Sequence, residues 1–66
     1  MYTVEKKPFT DKHPFLYLIR TNTHVITTVN EERALRALFC LNNGQQLDRA
    51  FRAKLEVNGF SIIPIQ

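Results

Sequence analysis

His13, His24 and Cys40 are the side chains of this chain whose types could ligate a metal or supply a nucleophile and its base. Ten residues lie between the first two and fifteen between the second and third. Zinc sites draw on closely spaced pairs and on three or four protein ligands, so no metal is expected. Helical stepping sets Cys40 beside Arg33 and Arg36, whose charge favours a thiolate, but near a helix carboxyl end, which opposes one. No histidine is near it in sequence, so Cys40 is read as a small, partly buried apolar residue. His24 opens a strand with its ring partly exposed, and His13 sits in a Pro-flanked loop. The chain contains no phosphate loop, no Gly-x-Ser-x-Gly elbow and no His-Glu-x-x-His. A substrate pocket of roughly 300 Å³ or more is hard to enclose in so short a chain. The expectation is therefore a protein that is not an enzyme, with no cofactor and no small-molecule substrate.

The charged residues point to binding. Nine Lys and Arg against six Asp and Glu give a net charge of +3 and a pI near 9.4, which raises nucleic acid as a partner. Residues 1–24 hold Lys6, Lys7, Lys12 and Arg20 against Glu5 and Asp11, and these four cations are the candidate nucleic-acid contacts. From Val25 onward five basic residues meet four acidic ones. Glu32 with Arg36, and Asp48 with Arg52, are spaced four apart with the acid first, the favourable order for helical ion pairs, and Glu56 brackets Arg52. Phosphate recognition needs several uncompensated cations along a track. This chain has no dense basic stripe, zinc-finger spacing or RNA-recognition aromatic motif, so nucleic-acid binding, as a dimer that doubles the charge, is the second reading. The turn at Gly44 before the second helix superficially suggests a helix-turn-helix, but Asp48 and Glu56 would face phosphates poorly.

The element that must organise these residues is Asn30–Leu41, NEERALRALFCL. Ala34, Leu35, Leu38, Phe39 and Leu41 recur at helical spacing. Asn30 is a good N-cap, Thr28-Val29-Asn30-Glu31 reads as a capping box, and Asn42-Asn43-Gly44 offers a left-handed C-cap. Gln46–Val57 reads as a second helix, with Leu47, Ala50, Phe51 and Leu55 on one face and Lys54 near the middle of that arc, snorkelling outward as the helix leaves the core. Phe15–Arg20 and His24–Val29 read as strands by their aromatic and β-branched content, joined by a Thr21-Asn22-Thr23 turn. Phe60–Ile65 forms the last strand, its end placed at a sheet edge by Pro64. Tyr2 and Val4 alternate with polar residues, so residues 1–12 form an edge strand or an arm. The expected fold class is α+β in one 66-residue domain. It is a small, mainly antiparallel sheet with two helices on one face, in the order β-β-α-α-β, with room for an extra N-terminal strand. The pairing partner of the last strand is left open between the first and second of these strands.

Composition sets the remaining bounds. A chain that is 44% hydrophobic and 23% charged is globular rather than disordered. One cysteine allows no internal disulfide, and neither a membrane-spanning run nor a signal-like amino terminus is evident, so a cytoplasmic protein is expected. Met1 adds the expectation of a complete small reading frame. The apolar residues exceed what two short helices on one sheet face can bury. The first helix is apolar over more than a third of its circumference, and Leu16, Leu18, Ile63 and Ile65 fall on the sheet face away from the helices. Either residues 1–12 fold over that face or another chain does. The leading expectation is a non-catalytic protein-binding module, an inhibitor or adaptor acting on a host protein complex, of the kind phages and plasmids encode. Its partner is another protein or a second copy of itself. Tyr and Arg are enriched at interface hot spots, which makes Tyr2, Tyr17, Arg33, Arg36, Arg49 and Arg52 the candidate contacts.

Overall fold

The computed structural model describes residues 1–65. The chain forms β1 (Val4–Pro8), β2 (Phe15–Arg20), β3 (His24–Thr28), α1 (Glu31–Asn42), α2 (Arg49–Val57) and β4 (Ser61–Pro64). The expected α+β order β-β-α-α-β is present, with the additional N-terminal strand. All pairings are antiparallel and the strand order is β1-β2-β3-β4. The last strand therefore pairs with β3.

Register decides which side chains meet the helices. Val4, Ile19, Ile26 and Ile62 form one row across the four strands. Side chains alternate between faces along a strand, so this row marks the inner face, and Ile19 and Ile26 are each only 1% exposed there. They pack in one cluster with Ala37 and Leu41 of α1, Phe51 and Leu55 of α2, and Phe60. Thr28 is also buried on this face, and its hydroxyl accepts a hydrogen bond from the Asn30 amide at 3.3 Å.

That bond corrects the expected capping box. Asn30, not Thr28, is the N-cap: its Oδ1 accepts from the Arg33 amide at 2.9 Å. α2 starts three residues later than its apolar pattern suggests, because Asp48 is the N-cap and accepts from the Phe51 amide at 2.9 Å. The expected ion pair between Asp48 and Arg52 does not form, nor does the one between Glu56 and Arg52. Asp48→Ala should cost about 1 kcal/mol through loss of this cap. Urea unfolding would register it as a lower midpoint at unchanged slope.

Both helices end in the same way. The Gly44 amide donates to the Leu41 carbonyl and Gln45 to Cys40; Gly59 donates to Glu56 and Phe60 to Leu55. These are paired Schellman bonds, and they place Gly44 and Gly59 at φ of +93° and +86°, where a Cβ is strained. At the second of these ends Phe60 is not a strand residue. It packs on Leu55 in the core, the hydrophobic contact that accompanies this motif.

Residues 1–12 do not fold over the second sheet face. β1 extends the sheet beside β2, and the Tyr2 backbone is held at the end of α1 by Asn42, whose amide group both accepts from and donates to it at 2.7 and 3.0 Å. No helix among the described residues is long and apolar enough to cross a membrane.

Candidate partner-binding surfaces

The face opposite the helices carries Glu5, Lys7, Leu16, Leu18, Arg20, Val25, Thr27, Ser61 and Ile63, by the same alternation. Leu18 is shielded by its neighbours on the sheet, but Ile63 is 53% and Ile65 47% exposed. No element among the described residues lies on this face. Its charged pair is Arg20 with Glu5, Nε to Oε1 at 3.2 Å, both side chains about half exposed.

A second apolar exposure lies on α1. Ala34, Ala37 and Leu41 are buried, whereas Leu35 and Phe39, four apart on the opposite flank, are exposed, Phe39 to 69%. α2 does not cover this flank. It faces the side that carries Arg33, Ala37 and Cys40, so Leu35 and Phe39 stay exposed.

Between the two helices runs an open groove of about 330 Å³. Its floor is Ala37, Phe51, Leu55 and Phe60, and its walls are Arg33, Arg36, Cys40, Lys54 and Asn58. The Arg33 Nη1 donates to the Asn58 carbonyl at 2.7 Å, a bond that ties α1 to the end of α2. Arg36 pairs with Glu32 at 2.7 Å, as the spacing predicts, with both side chains about three-quarters exposed. Cys40 is exposed on this wall rather than partly buried, because α2 lies across from it and not over it. Lys54 is exposed beside Phe51 and Leu55, the outward placement expected for it.

The six candidate contact residues do not converge on one patch. Arg33 and Arg36 line the interhelical groove. Arg49 and Arg52 line a separate depression of about 360 Å³ between α2 and the sheet edge, with His24, Glu56 and Pro64. There the Arg52 Nε is buried without a hydrogen-bond partner. Tyr17 lies on the inner face opposite Lys6 and Thr28, and Tyr2 is half-buried against the core.

The candidate nucleic-acid contacts are also dispersed. Lys6 and Lys7 point to opposite faces of β1. Lys6 sits over the Phe15 ring at 4.2 Å, Arg20 is engaged with Glu5, and Lys12 is on the β1–β2 loop. His13 and His24 lie at opposite ends of the sheet, one before Phe15 and the other after Arg20. Arg33, Arg36 and Cys40 do share one side of α1, as helical stepping sets them; that Lys54 of α2 joins them around a single groove had no signal within either helix. Comparison of the chain with protein-family models, with curated proteins and with solved structures finds no match.

Proposed function

We propose that this chain is a non-catalytic protein-binding module that uses its uncovered sheet face, acting as an inhibitor or adaptor on another protein. The observation that carries the reading is the second sheet face: Leu16, Val25 and Ile63 share it, Ile63 more than half exposed, with no helix of the described residues above them. A sheet with apolar side chains on both faces is ordinarily covered on both. Contiguous exposed apolar surface of a few hundred Å² commonly marks an interface. The covering layer is either a second copy or a host protein, in keeping with a small cytoplasmic product of a phage or plasmid.

Sedimentation of the purified chain across a concentration series, with a fluorescent dye that reports apolar surface, tests this. Self-association, or a dilute monomer with strong dye binding, is expected. A monomer at every concentration with no dye signal would remove the basis of the reading.

A further inference from the structure

We infer that the groove between α1 and α2 is a second recognition site, one that takes an acidic peptide segment with an apolar anchor. The inference goes beyond the sheet-face reading and does not depend on it, since the groove lies on the helical side of the molecule. Charge and shape on the two walls both favour this ligand.

Arg33 and Arg36 rise from one helix and Lys54 from the other, with the apolar floor between them. No Asp or Glu lines the groove. Of the three cations, Lys54 forms no ion pair among the described residues. Arg33 spends one N–H on the Asn58 carbonyl and keeps the rest of its five-donor guanidinium. Arg36 meets Glu32 only in an exposed pair, which is weak enough to exchange for a ligand carboxylate. The floor matters equally. Phe51, Leu55 and Phe60 retain less than a tenth of their surface, so an apolar side chain entering the groove meets packed hydrocarbon rather than water.

A volume of about 330 Å³ is at the lower end for small-molecule sites, and this groove is open, which suits one or two anchoring side chains of a longer peptide. A polynucleotide fits less well. Single strands bind by stacking bases on exposed aromatic rings along a cationic track. The phenylalanines here are buried in the floor and present no stacking face.

Cys40 makes the test direct. It is the only cysteine of the chain, it is exposed, and it lines the groove. The rate of its alkylation by iodoacetamide, an uncharged reagent, therefore reports occupancy in the unmodified protein. Short synthetic peptides of alternating Glu and Leu or Phe should slow the reaction saturably. Peptides with Lys in place of Glu, and oligoglutamate without apolar residues, should leave it unchanged.

Lys54→Glu should weaken protection about tenfold, because attraction becomes repulsion at the wall. Val57→Glu adds a negative charge to α2 at a residue that is exposed and outside the groove, and should leave protection intact. Far-ultraviolet circular dichroism of both variants keeps folding separate from binding. Equal protection by all peptides, protection by none, stronger protection by a single-stranded oligonucleotide, or equal loss in both variants would each overturn the assignment. Sedimentation behaviour is read separately, so failure here leaves the sheet-face reading standing, and the reverse holds too.

Discussion

Ile26→Ala is expected to leave the chain largely unfolded at room temperature. Ile26 is in β3, an inner strand of the sheet, paired with Ile19 on one side and Ile62 on the other, and it is only 1% exposed. Truncating a buried isoleucine removes transfer free energy and opens a cavity, together about 2–5 kcal/mol. A core in a chain below 70–80 residues supplies no more than about 3–5 kcal/mol of net stability. Here no disulfide is present among the described residues to hold the fold when the core is weakened. The substitution is thus of the same size as the whole stability. Circular dichroism should show loss of the cooperative melt. Ile26→Val, which removes one methyl and costs about 0.5–1.5 kcal/mol, should melt cooperatively at a lower temperature. An alanine variant melting within a few degrees of the parent would mean that the row Val4–Ile19–Ile26–Ile62 is not the centre of the core.

Ile63→Lys is expected to have the opposite profile: little change in stability and a large change in association. Ile63 is on β4, an edge strand, on the face away from the helices, and more than half of it is exposed. Removing an exposed apolar side chain changes stability by no more than about 0.5 kcal/mol. A lysine on an edge strand is also a common device against edge-to-edge association. If that face is the interface, the charge must be desolvated against a partner, so self-association and dye binding should fall together by at least tenfold, equivalent to about 1.4 kcal/mol.

Two controls locate the effect. Val57→Lys alters a residue that is 86% exposed on α2, and should leave association unchanged. Phe39→Lys alters the exposed flank of α1. Loss of association in the Phe39 variant with retention in the Ile63 variant would move the interface to α1 while keeping the protein-binding reading.

Most of the fold was legible in the chain because local rules and the buried pattern agree. The β-branched and aromatic runs form strands, and each helix has a side-chain cap and a following glycine at positive φ. The errors lie at element boundaries, for identifiable reasons. Leu47 continues the helical apolar pattern, but Asp48 caps α2 and the preceding residues bridge from α1. Phe60 has a strand residue's character, but it is committed to closing α2 against Leu55. The ion pair expected between Asp48 and Arg52 does not form: Asp48 caps the helix with Oδ1, and Arg52 lines the depression between α2 and the sheet edge with its Nε buried. Glu32 has no such duty and pairs with Arg36.

By itself the sequence determined that the chain is a small α+β domain, where its helices begin and end to within a few residues, and that its apolar content exceeds one layer's need. These follow from periodicity, capping chemistry and composition, which act over a few neighbouring residues. Tertiary structure alone decided that β1 extends the sheet instead of covering it, that β4 pairs with β3, and that α2 faces the Arg33–Cys40 side of α1 across the groove, leaving Leu35 and Phe39 exposed. Those outcomes depend on which of several apolar surfaces are buried together, a competition among residues dozens of positions apart. The interhelical groove belongs to the second group: its three cations are ordinary surface residues until the packing of two helices sets them around one apolar floor.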